Sequence, residues 1–210
     1  MATLQIIGNP ASTYTRTARM ACEEKGVDYE TISAMPHSTE VNAIHPFGKI
    51  PVMRHGDFEL CETKAIATYL DRHFDGPKLI PDDPRAAAQT EKWVSIVNTM
   101  VDPLWVRRYN FAYIFPKTPD GSPDRAVIDA AVPEMRRQAD ILDRGLASGS
   151  FSGNGFSFAD VNLMPILFYT QMFPEGAEMV SGAKHLKAFY DKNAQRPSFT
   201  NTMPPPPPRD

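Results

Sequence analysis

The chain is expected to fold as an α/β unit of βαβ-α-ββα order followed by an all-helical (all-α) bundle, and three observations carry that expectation. Short apolar runs alternate with amphipathic ones over roughly the first eighty residues. A stretch rich in proline, Asp75 to Pro84 (DGPKLIPDDP), then interrupts every regular pattern. Beyond it no strand-like alternation persists and the apolar spacing is helical.

Each element follows from local chemistry. Thr3 to Gly8 (TLQIIG) reads as a strand closed by Gly8-Asn9-Pro10. Ser12 and Thr13 are N-cap types, and Ala18, Met20, Ala21 and Cys22 mark the apolar face of a helix that stops at Gly26. Val27 to Ser33 alternates as a second strand, and a strand–helix–strand unit makes its strands parallel with a right-handed crossover. Thr39 to Ile44 fits a short helix. Pro51 to His55 and Phe58 to Cys61 flank His55-Gly56-Asp57, a turn that pairs them as an antiparallel hairpin, so the sheet is mixed. From Glu62, the positions Ile66, Tyr69, Leu70, His73 and Phe74 form a helical stripe. In the second half, helices are expected over Arg85 to about Phe115, Asp124 to Leu146, Phe158 to Met172 and Lys184 to Asn193. The domains are accordingly 1–76 and 85–203, with a proline-rich tail at 204–210 whose Pro204 to Pro208 suits polyproline II or disorder.

Composition narrows the function classes. With 42% hydrophobic and 22% charged residues, the 210-residue chain carries enough apolar side chain for a core. A formal net charge of -3 gives no field that draws phosphate backbones or anionic lipid, so neither nucleic acid nor membrane is an expected partner. No run approaches the roughly 18–20 apolar residues of a membrane span, and the start lacks a basic segment followed by an apolar one. Cys22 and Cys61 lie in apolar patterns without a CxxC pair, which suits a reducing compartment, with cytoplasm the default. The histidines show no HxxxH or HExxH spacing, and no metal is expected.

Three features bear on chemistry. In His45-Pro46-Phe47-Gly48-Lys49-Ile50-Pro51-Val52, Pro51 stands where the next strand begins, a place that needs no ladder N–H. A cis bond there would turn the backbone of Ile50 outward, able to pair with an extended peptide; an ordinary trans proline at a strand start is the alternative. Glu62-Thr63 opens an amphipathic helix whose orphan N–H groups favour a carboxylate, with Glu62 able to accept from an ammonium; plain capping is the alternative. Ser12 places a hydroxyl before the first helix, where a thiolate can be stabilised, and Thr13, Tyr14 and Thr15 compete for the role.

Together with Ser157-Phe158-Ala159-Asp160, these residues resemble the glutathione transferases over nearly the whole chain. The likeness lies in Ser12 to Arg19 (SxxTRxxR-like), His45 to Pro51 (NPFGKIP-like) and Glu62-Thr63 (ES-like). The resemblance implies a thioredoxin-like amino-terminal domain with cis-Pro51, a helical second domain, a homodimer, and glutathione as co-substrate. It implies Ser12 as the serine-type thiolate stabiliser of phi- or theta-like members, with Tyr14 its competitor. It assigns Ile50 and Pro51 to the cysteinyl clamp, Glu62 and Thr63 to the γ-glutamyl end, and Lys49 and His37 to the glycyl carboxylate. Ser157 and Asp160 resemble the family's structural capping box. The sequence departs from the common pattern with His45 for the usual Asn and Thr63 for the usual Ser. The electrophile pocket is expected from Trp105, Arg108, Tyr109 and Phe111, near Met100, Tyr113 and Phe115, although Trp105, Phe111 and Phe115 equally suit a core or dimer face and Arg108 a solvated one. Conjugation to a hydrophobic electrophile is the expected reaction. A non-turning-over ligandin, a glutathione-dependent isomerase or etherase, and a protein that binds only other proteins are the alternatives.

Overall fold

The computed structural model describes residues 3–153 and 155–205 and divides into two compact units, 1–82 with 194–210, and 83–193. The expected tail lies outside the described residues from 206 onward.

In the first unit the element order is β1 (Leu4–Ile7), α1 (Thr13–Lys25), β2 (Tyr29–Ile32), α2 (Thr39–Ile44), β3 (Val52–His55), β4 (Phe58–Cys61) and α3 (Thr63–His73). The sheet order is β2-β1-β3-β4, with β1 and β2 parallel and the other two pairings antiparallel. Register follows burial: Leu4, Ile6, Ile7, Val52 and Met53 are buried, and Ile7 pairs with Val52. Ile7, Val41 and Val52 form a small core against which Ile32, Ala34, Ile44, Ile50 and Cys61 pack, so the segment before β3 is anchored by its own apolar side chains.

Helix α1 begins at Ser12, whose hydroxyl oxygen accepts from Thr15 N–H, and ends at Gly26 in the left-handed region at φ 66°. A Cβ at residue 26 meets no neighbour within 4 Å, so Gly26→Ala isolates the backbone cost. It is expected to lower stability by about 1 kcal/mol, read from urea unfolding, with the slope unchanged.

The last turns of the chain correct the expected boundary. Residues 194–203, assigned from sequence to the helical half, cluster with the first unit, where α10 (Pro197–Thr200) packs on α1. Fully buried Arg16 lies over the Phe199 ring at 4.1 Å and donates to the Phe199 carbonyl. Glu24 accepts two bonds from Arg196, at 2.8 and 2.6 Å, and one from the Ser198 hydroxyl. These are polar pairings at long sequence separation, invisible to a pattern reading.

The second unit contains α4 (Pro84–Ile96), a π-helical stretch (Val97–Asn110), α5 (Phe111–Ile114), α6 (Arg125–Gly145), α7 (Phe158–Thr170), α8 (Pro174–Gly182) and α9 (Lys184–Asn193). Helix α6 buries Ile128, Ala131, Met135, Ala139 and Leu142, the stripe of a one-sided helix. Helix α7 is buried at every residue from Phe158 to Leu167, as a sequence apolar on nearly all sides requires. At its start Asp160 accepts from the Ser157 N–H at 2.7 Å and hydroxyl at 2.6 Å, and from Phe151 N–H at 3.0 Å.

Candidate functional site

Three clusters in the first unit hold the residues singled out from sequence. The first surrounds Gly8, at the end of β1. A Cβ there would lie 2.5 Å from Thr15 Oγ1, 3.2 Å from Ile50 Cβ and 3.4 Å from Pro51 Cα, so only glycine lets these segments meet. The first turn of α1 and the Ile50–Pro51 dipeptide therefore converge, and the Ile50–Pro51 bond is cis. Ser12 is half-buried at the α1 N-terminus. Capping uses an oxygen lone pair and leaves the hydroxyl proton to donate. No acidic residue occupies the first turn, so nothing in α1 itself neutralises its positive end. Tyr14, also half-buried, sits inside that turn.

The second cluster brings His37 to Lys49. His37 N–H donates to the Gly48 carbonyl at 2.8 Å, and Asn42 donates to the His37 carbonyl at 2.9 Å. A Cβ on Gly48 would fall 2.3 Å from His37 Nδ1, so the two strands of this loop touch. His37 and Lys49 are both exposed, offering two cationic or donor groups on one loop pair.

The third cluster is built on Glu62, the N-cap of α3. Its backbone stands at φ 71°, a left-handed conformation costly for a residue with a Cβ, and it makes no side-chain cap bond. The N–H groups of the first turn of α3 thus lack a side-chain cap, with Thr63 buried among them. The Glu62 side chain is 70% exposed and lines an open cavity of about 780 Å³ with Leu60, Lys64, Thr68 and Tyr69. Buried His45 reaches it, Nε2 to Oε1 3.4 Å. In sequence His45 stands only as a replacement for Asn; its contact with Glu62, 17 positions further along, leaves no local signal.

The electrophile residues fare differently. Trp105 and Tyr109 are both 0% exposed. The Trp105 indole N–H donates to Gln138 at 3.0 Å, and the Tyr109 hydroxyl donates to Glu175 at 2.9 Å while accepting from Gly176 N–H. Both are therefore core residues of the helical unit, a correction to their expected pocket role: their rings have no open face to give a ligand. Arg108 is exposed and Phe111 half-buried beneath the Arg107 guanidinium, 5.4 Å from the ring. Met100, Ile114 and Phe115 are exposed apolar side chains of this stretch.

Glu175 is strongly perturbed by its neighbours in that unit. Burial opposes its ionisation, but hydrogen bonds from Tyr113, its own backbone, Arg125 and Tyr109 outweigh that and hold the carboxyl at about 2. Burial likewise pushes the Cys22 thiol up, which leaves it inert. Cys22 and Cys61 are both free, and among the described residues no group of three His, Cys, Asp or Glu could hold a metal ion. No helix among those residues is long and apolar enough to cross a membrane.

Comparison with known proteins covers both units of the chain. Residues 6–78 match the model of the glutathione S-transferase N-terminal domain, and residues 108–197 match that of the C-terminal domain. The chain belongs to the glutathione S-transferase family. Glutathione S-transferase 3 of Zea mays is 29% identical over 222 aligned residues, covering 99% of this chain and 98% of the relative. Among solved structures, glutathione transferase F7 of Populus trichocarpa superposes with a TM-score of 0.86 at 27% identity, covering 95% of this chain and 97% of its own. A glutathione S-transferase of Methylobacillus flagellatus KT, solved with glutathione bound, gives 0.80 at 25% identity over 96% and 100%. The α/β unit of this transferase is thus the family's thioredoxin-like domain, and the helical unit its C-terminal partner.

Proposed function

We propose that this transferase binds glutathione along the first unit, stabilises its sulfur as thiolate at Ser12, and conjugates it to a hydrophobic electrophile. The observation that carries the reading is the bare positive terminus of α1, capped by a hydroxyl whose proton is still available and set beside Ile50 and cis-Pro51. A thiolate arriving there accepts from Ser12 and meets the helix dipole, both of which favour the anion over the thiol. The backbone of Ile50 makes no hydrogen bond among the described residues, so it remains open to the cysteinyl amide. Glu62 accepts from the γ-glutamyl ammonium, the first N–H groups of α3 and Thr63 take its carboxylate, and Lys49 with His37 takes the glycyl carboxylate.

Holding sulfur and electrophile in one geometry then removes most of the entropic barrier to attack. Arg108 and Phe111, with exposed Met100 and Phe115, are the residues we assign to the electrophile. The working form is a homodimer, the assembly that the family resemblance implies, and two free thiols suit the cytoplasm.

A steady-state assay with glutathione against aryl halides, epoxides and organic peroxides tests the reading. Saturable glutathione dependence and turnover of at least one class is expected. Retention on immobilised glutathione with no turnover across the panel would instead indicate a carrier, and no retention would remove glutathione altogether.

A further inference from the structure

The geometry points to His45 as a positioning residue for Glu62, and through it for recognition of an ammonium on the bound peptide, an inference that rests on the glutathione reading above. His45 closes α2, its N–H donating to the Val41 carbonyl at 2.8 Å, and opens the turn completed by Gly48 N–H on the His45 carbonyl at 2.9 Å. Its ring is 3% exposed, yet it spans two jobs. Nδ1 accepts from Phe47 N–H at 3.0 Å, which commits that nitrogen as an acceptor. The hydrogen-bond network thereby assigns the neutral tautomer: the ring proton sits on Nε2, the atom 3.4 Å from Glu62 Oε1. One carboxylate oxygen lies 3.4 Å from this buried nitrogen, close enough for a small shift to make the bond, and the other makes no hydrogen bond among the described residues. The contact is long, as such bonds often are before a ligand draws the carboxylate in.

The left-handed backbone of Glu62 adds a second constraint on the same side chain. Asn, the residue usual here in the resembling family, can accept from the Phe47 amide through its own side chain but stops short of Nε2 by an imidazole's breadth. His45 thus extends a turn-forming position into the binding site.

The test uses His45→Asn, which preserves the turn, with glutathione and with glutaryl-cysteinylglycine, the same tripeptide lacking the α-amino group. The expected result is a rise of about three- to tenfold in KM for glutathione, with kcat at saturation within about twofold and KM for the deaminated peptide unchanged. His45→Gln, which restores a donor near the Nε2 position, is expected to recover part of the loss. A merely structural role would raise both KM values alike, and that outcome, or no change in either, overturns the inference. Glu62→Gln separates the two layers. If it raises the glutathione KM and His45→Asn does not, only the role of His45 falls. If neither does, the assignment of Glu62 falls first.

Discussion

Ser12→Ala is expected to lower kcat by about ten- to a thousandfold while glutathione affinity changes little, the pattern of a lost transition-state and thiolate contact rather than lost binding. The magnitude follows from acidity. Bringing a thiol from about 8.5 down by two units needs roughly 2.7 kcal/mol of preference for the anion, within reach of one charge-assisted hydrogen bond plus a helix terminus. The variant should therefore move the acid limb of the kcat/KM profile for the electrophile, taken at saturating glutathione, upward by about two units, with part of the rate recovered at high pH. Because the same oxygen caps α1, the substitution also costs about 1 kcal/mol of stability, and Ser12→Asp separates the two effects. Asp caps as well as Ser but sets a negative charge against the sulfur, so it should fold normally and turn over no better than Ala. Tyr14→Phe is the control: a loss of the Ser12 size there would move the catalytic assignment by two residues.

Glu175→Gln is expected to cost about 3 kcal/mol at pH 7. Glu175 gathers Tyr113 at 2.6 Å, Tyr109 at 2.9 Å and Arg125 at 2.8 Å while only 20% exposed, so its charge is screened little by water. Its carboxyl is lowered from 4.5 to about 2 in the folded protein. A depressed folded-state value means the contribution is present above pH 4.5 and is lost as pH falls through about 2. The difference between wild type and Glu175→Gln in urea unfolding should accordingly be full at pH 7 and roughly halved by pH 3. A difference independent of pH would mean that packing, not the carboxylate, supplies the effect.

Much of the amino-terminal unit was legible because its signals are local. Ser12 and Gly26 bracket α1, Phe58–Cys61 and Thr39–Ile44 stand where the sequence pattern puts them, and the turn at Gly56 fixes the antiparallel hairpin. What escaped depends on partners distant in sequence. Helix α10 belongs to the first unit because Arg16 and Glu24 of α1 hold it, and its four residues are too few to show a period. Helix α8 has no counterpart among the expected elements, because its nine residues, Pro174–Gly182, are too few to show a clear period. The π-helical winding of Val97–Asn110, with Phe111 N–H reaching back to the Val106 carbonyl, leaves no mark on side-chain spacing that an α-helix would not also leave. The core role of Trp105 and Tyr109 is hidden for the same reason: an aromatic cluster looks alike whether it lines a pocket or fills a core, and their partners Gln138 and Glu175 decide. At the site itself, residue types were readable but the His45–Glu62 contact was not.

The central claim is that glutathione lies along Ile50 with its sulfur at the α1 terminus and its γ-glutamyl end at Glu62. A crystal structure of the protein with glutathione bound tests it directly. The account predicts the sulfur within about 3.5 Å of Ser12 Oγ and the ammonium on the Glu62 carboxylate. Sulfur seated on the Tyr14 hydroxyl, or a tripeptide bound away from Ile50, would contradict it.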